Sequence, residues 1–167
     1  MQSFFSTACV AVVCLLSAGA ANAQDATQPP ASEHAVLTVQ GRGVQIYTCE
    51  ETAGRFQWTF AAPAARLFDG DREVGTHGDG PVWHYEDGSS IHGQLMAKLA
   101  SPDASSVPWL LLKGVSPSGS GLLSTVEFIR RSDTQGGAAP ATGCDAQHVL
   151  ALERVPYTAT YSFYSSK

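Results

Sequence analysis

From Ala35 onward the apolar residues recur with a period close to two, and this alternation constrains the fold more than any motif. In GVQIYTC, Val44, Ile46 and Thr48 alternate with Gln45, Tyr47 and Cys49; in RFQWTF, Phe56, Trp58 and Phe60 alternate with Arg55, Gln57 and Thr59. Successive side chains on a strand point to opposite faces, so such stretches read as half-buried strands. IHGQLMAKLA sets Ile91, Gly93, Leu95, Ala97 and Leu99 against His92, Gln94, Met96 and Lys98. VPWLLLKGV is more continuously apolar, LLSTVEFIRR continues the set, and YTATYSFY places Tyr157, Ala159, Tyr161 and Phe163 on one face.

Turn clusters separate these runs: Asp69-Gly70, Gly78 to Pro81, Asp87-Gly88, Ser101-Pro102-Asp103, Ser116 to Gly121 and Gly136-Gly137. Short strands spaced by such turns predict a single-domain all-β fold, an antiparallel β-sandwich or barrel of about eight to ten strands. At most one short helix is expected; AQHVLALERV, Ala146 to Val155, could supply it and reads equally well as a strand.

The chain begins differently. MQSFFSTACVAVVCLLSAGAANAQ is apolar from Ala8 to Leu16 and ends in Ala21-Asn22-Ala23, the pattern of a secretory h-region and an A-x-A cleavage site, although no Lys or Arg precedes it. The run is shorter than the roughly 18 apolar residues of a membrane span. Cys14 follows Val12-Val13, which does not suit a lipoprotein. Residues 1–23 are therefore expected to be a signal peptide and residues 24–34, polar and Pro-containing, a flexible leader; 35–167 form the domain. The expected product is secreted or periplasmic, with no transmembrane anchor after cleavage.

The formal net charge of −5 disfavours a nucleic-acid partner, which calls for clustered Lys and Arg. The only basic doublet, Arg130-Arg131, reads as a solvated strand end. Cleavage removes Cys9 and Cys14 and leaves Cys49 and Cys144, for which a disulfide is the economical reading in an oxidising compartment. In the chain-entropy picture it is worth about 4 to 5 kcal/mol. Two separate buried thiols are the alternative.

The stretch GTHGDGPVWHYEDGSSIHG, residues 75–93, concentrates the candidate chemistry. A two-residue turn at Asp87-Gly88 would mix His and apolar residues on each face. A three-residue loop, Glu86-Asp87-Gly88, with left-handed Gly88 pairs Tyr85 with Ser89 and puts Trp83, Tyr85 and Ile91 on one face and His84, Ser90 and His92 on the other. The second register keeps the apolar face intact and is the one expected. It leaves His84 and His92 as diagonal neighbours about 7 to 8 Å apart, close enough to share a divalent metal with His77, Asp79 or Glu86. The spacing matches no standard metal motif, so no cofactor is expected and the metal site His77, His84, His92 is an alternative only. Trp83, framed by Pro81 and glycines, suits a ligand-facing rim.

Other signatures fail on inspection. DGDRE lacks the Gly and Glu that a calcium loop needs at its sixth and twelfth positions, which here are Val74 and Gly80. SGSG at Ser118 to Gly121 is not a nucleophile elbow. Gly41-Arg42-Gly43 precedes strand-like sequence instead of a helix, so it is no dinucleotide fingerprint. A Ser-His-Asp set drawn from Ser89, Ser90 and the histidines rests on composition alone.

The ordered motifs GVQIYTCE, GTHGDGPVWHYEDGSS, VPWLLLKGVSPSGSGLL, FIRRSDTQGGAAPATGCD and RVPYTATYSFY resemble domain-of-unknown-function family 3455, exported bacterial and secreted fungal proteins, from about Val39 to Tyr164. The resemblance implies no activity, cofactor or catalytic residue. It matches at Cys49, His77, Gly80, Pro81, Trp83, Asp87, Gly88, Pro108, Trp109, Arg130, Gly136, Gly137, Pro140, Cys144 and Tyr157, and departs at His84 and His92. The expected function is a binding module for a small molecule, glycan or envelope component, with His77, Trp83 and Asp87 as the ligand-binding set. The alternatives are an exported hydrolytic or metal-dependent enzyme using His77 with Asp79, Asp87 or His84, and a structural or adhesive envelope protein.

Overall fold

The computed structural model describes residues 25–166. They form one antiparallel sheet of β1 (His34–Thr52), β2 (Arg55–Asp69), β3 (Arg72–Gly78), β4 (Val82–Tyr85), β5 (Ser90–Leu99), β6 (Trp109–Ser118), β7 (Phe128–Gly136) and β8 (Leu152–Ser165). Each strand pairs with the next and β8 returns to β1, so the sheet is a closed barrel with no free edge. Of the two all-β architectures open in the sequence, the barrel is the one realised. Among the described residues no helix is long and apolar enough to cross a membrane. The expected signal peptide lies outside the described residues.

One end of the barrel is solid. Val39, Leu67, Ile91, Leu123, Ile129 and Phe163 are each at most 2% exposed there. Burial of such side chains contributes roughly 1.5–3 kcal/mol apiece, so this end anchors the fold. Leu123 belongs to the short 3₁₀ turn Leu122–Thr125 that joins β6 to β7. The turn is the only helical element among the described residues. The helix that Ala146 to Val155 could form is absent: turns run through Leu150 and β8 begins at Leu152.

The β4–β5 hairpin takes the bulged register. Trp83 pairs with Ile91 and His84 with Ser90, Tyr85 N–H donates to the Ser89 carbonyl, and Gly88 has φ +83°. On β1, Gly41, Gly43, Gln45 and Tyr47 turn inward in unbroken alternation, not Val44 and Ile46; opposite them β2 carries a bulge at Ala61. A β-carbon on Gly41 would lie 2.5 Å from the Tyr161 ring of β8, and one on Gly43 would lie 2.1 Å from the Ala64 carbonyl oxygen of β2.

Three expectations need correction. On β5, a bulge between Leu95 and Ala97 breaks the alternation, and Lys98 joins Leu95 on the inner side instead of following His92 and Gln94. The leader is held: the Asp25 carboxylate accepts from Arg130 Nη2 at 2.7 Å, and Thr27 is fully buried. Burial works to raise the Asp25 pKa, but hydrogen bonds from Thr27, Arg130 and Gln28 outweigh it and hold it at about 2. Arg130-Arg131 is not a solvated end, since Arg130 lies outside, against Asp25 and the Trp109 ring, while Arg131 is buried inside. A doublet on a strand must split between the two faces.

Candidate functional site: the open end of the barrel

The other end of the barrel is hollow. The C-terminal halves of β1, β3 and β5, the N-terminal halves of β4 and β6, the middle of β2, Arg131 on β7 and Tyr161 on β8 enclose a cavity of about 500 Å³. That lies within the range of small-molecule sites, and an eight-stranded barrel is wide enough either to fill with side chains or to hold one small ligand.

His77 and Trp83 are cross-strand partners on β3 and β4, so both point inward. Their rings stack with centroids 4.2 Å apart and an interplanar angle of 7°. The Tyr161 ring meets both edge-on, at 5.1 Å from His77 and 5.7 Å from Trp83. His77 Nδ1 lies 2.9 Å from the Val82 carbonyl oxygen. A carbonyl only accepts, so Nδ1 carries the proton and Nε2 keeps a lone pair. Burial, assisted by the positive charge of Arg131 and opposed by the Val82 bond, lowers the His77 pKa to about 4. The ring is neutral at pH 7.

Arg131, on β7, is 8% exposed and forms part of the cavity wall. Its Nε and Nη2 both donate to the Pro108 carbonyl oxygen, at 3.0 and 2.9 Å. Among the described residues no carboxylate lies within ion-pair distance of it. The neighbouring phenols stay protonated: burial raises the pKa of Tyr47, Tyr157 and Tyr161. Tyr47 donates to the Gly137 carbonyl at 2.6 Å, and the Tyr157 and Tyr161 hydroxyls lie 3.1 Å apart. Trp83 Nε1 on the lining is buried without an acceptor, and Gln45 Nε2 has only the Tyr157 hydroxyl within reach and makes no hydrogen bond of full geometry. At the mouth stand exposed Phe60, Leu95, Asp79 and Lys98.

Of the predicted ligand set, the barrel brings His77 and Trp83 together and sends Asp87 to the opposite end. There Asp87 Oδ1 accepts from the Ser89 N–H and hydroxyl, and Oδ2 accepts from the Leu122 N–H at 2.7 Å. These bonds, led by that from the Ser89 hydroxyl, hold its pKa below the ordinary value. Asp87 braces the 3₁₀ turn of the solid end.

The metal alternative meets the same alternation. His77 faces the lumen, whereas His84 pairs with Thr76 next to it and therefore points outward with His92. His84 is exposed, and His92 Nδ1 donates to the Gly80 carbonyl at 3.2 Å. Among the described residues no three His, Cys, Asp or Glu side chains are grouped to hold a metal ion. The wall of the barrel separates His77 from the other two.

Sequence reasoning passed over Arg131, Gln45 and Tyr47. The signal for Arg131 was present, two residues beyond inward Ile129 on a strand of period two. Gln45 and Tyr47 were hidden because Val44 and Ile46 look like the core face.

The chain matches no curated protein and no solved structure. It does match the family described as "Protein of unknown function (DUF3455)", in two overlapping stretches, residues 30–74 and 70–165. Together these span the whole barrel, with both cysteines and the His77 and Trp83 positions, and the chain belongs to that family.

Proposed function

We propose that the protein is a binding module that takes a small, largely apolar molecule into the open end of the barrel. The observation that carries this reading is the asymmetry of the interior: one end is packed solid, while the other keeps a cavity of about 500 Å³ walled by the His77–Trp83 stack. A pocket rich in apolar and aromatic wall with a few fixed polar groups is the usual form of a small-molecule site. No residue pair on the lining has the nucleophile and base arrangement that a hydrolase needs. Export is part of the same reading, supported by the Cys49–Cys144 disulfide, which suits an oxidising compartment. Secreted material whose N terminus is not Gln24 contradicts the expected cleavage.

The test uses N-phenylnaphthylamine, a neutral probe that brightens in apolar surroundings. The mature protein brightens it saturably, and Leu110→Trp, which fills the cavity from the β6 wall, abolishes the effect while the protein stays folded by circular dichroism. No brightening with the parent protein, or equal brightening with the filled variant, refutes the reading.

A further inference from the structure

The chemistry of the cavity floor goes further than its shape. We propose that the cavity selects a small organic carboxylate, its anionic head against Arg131 and Gln45 and its apolar body toward Phe60 and Leu95 at the mouth. This rests on the reading of the cavity as a ligand site.

The first observation is a charge without a counter-charge. Arg131 is 8% exposed, and its partners are neutral, the Pro108 carbonyl and the Tyr161 hydroxyl. Taking an ion out of water is costly unless an opposite charge or a full set of hydrogen bonds replaces the water. The charged side chains on the lining are Arg131, Lys98 and Asp79, and the last two stand exposed at the mouth. Neutral His77 and the protonated tyrosines add no negative charge. The floor is therefore cationic.

The second observation is independent of charge. The Trp83 indole N–H is buried on the lining without an acceptor, and Gln45, 1% exposed, has only the Tyr157 hydroxyl within reach of its amide and makes no hydrogen bond of full geometry. Buried donors without acceptors are uncommon and each costs free energy until satisfied. A ligand group that is both anionic and rich in acceptors answers both observations. A carboxylate is the smallest such group, and its planar pair of oxygens suits a guanidinium. The walls around it are aromatic and aliphatic, which fits a ring or short acyl body and not a polyhydroxylated sugar.

The experiment compares naphthoate with naphthamide, which share shape and differ in charge, by displacement of N-phenylnaphthylamine at pH 7 and by calorimetry. Naphthoate should bind the parent protein roughly tenfold or more tightly than naphthamide, the scale of a hydrogen bond to a charged group. Arg131→Met should erase that preference, and Arg131→Lys should retain part of it, since charge remains but the fork is lost. Equal affinity of the two probes for the parent protein overturns the carboxylate assignment without any variant having to fold. A preference that survives in Arg131→Met overturns the role of Arg131. If N-phenylnaphthylamine itself never binds, the underlying ligand-site reading fails instead.

Discussion

His77 shows how one buried side chain ties stability to pH. Its pKa falls from the ordinary 6.5 to about 4, chiefly through burial. The unfolded chain therefore takes up a proton near pH 6.5 that the folded protein refuses until about pH 4. Stability from this group is complete above the unfolded value and is lost as pH falls through that window. The loss amounts to about 2 kcal/mol by pH 5 and grows to about 3 kcal/mol near pH 4. Urea unfolding at pH 7 and pH 5 measures it, with His77→Phe as the comparison, since a phenyl ring keeps the stack on Trp83. The variant should lose less stability between the two values than the parent; an equal loss excludes His77 as the source. Asp25 does not interfere, because its pKa of about 2 places its own window below pH 4. At this scale the sequence was partly legible. His77 and Trp83 stood out by their Gly/Pro frame and do meet, whereas Arg131 looked like any strand-end cation because nothing local announces a charge turned inward.

Asp87 and Gly121 lie on different connections and form one unit at the solid end. The Asp87 carboxylate spans the β4–β5 loop and the 3₁₀ turn, and a β-carbon on Gly121 would come within 2.3 Å of that carboxylate. Gly121→Ala must therefore push the exposed carboxylate off the Leu122 N–H and lower stability by the loss of that contact. Asp87→Ala removes the same bonds. Because both variants break one contact, their effects should not add: the double variant should be little less stable than Asp87→Ala alone. Full additivity in urea unfolding would show that the two sites act separately. Probe binding at the far end should be unchanged in all three. The hairpin itself was legible because a one-residue slip exchanges faces, and only the bulged register keeps Trp83 with Ile91. The β5 bulge was not, since it follows from bending the strand around the barrel and has no Gly or Pro to mark it.

Closure is a property of the whole molecule, and alternation cannot reveal it, because a sandwich and a barrel ask for the same period along each strand. What decides is the pairing of β8 with β1 from His34↔Ser165 to Thr48↔Leu152, partners more than a hundred residues apart. The disulfide belongs to the same scale. Cys49 and Cys144 are joined across 95 residues and fix the long β7–β8 connection against β1 at the open end. That connection supplies the Gly137 carbonyl that accepts from Tyr47 in the cavity wall and the Thr142 carbonyl that accepts from Trp58 Nε1 at 2.8 Å. Reduction restores loop entropy to the unfolded chain, so stability should fall by up to about 4 to 5 kcal/mol. The ladder β1 to β8 does not pass through the sulfur atoms, so the reduced protein should keep its β signature in circular dichroism. The loosened connection should also release Trp58 and slacken the cavity wall. In Cys49→Ser/Cys144→Ser, a lower melting temperature should therefore accompany red-shifted tryptophan emission and weaker N-phenylnaphthylamine binding, with Trp58→Phe identifying the emitter. Unchanged emission and probe affinity alongside the lower melting temperature would mean that the bond stabilises the barrel without shaping its open end.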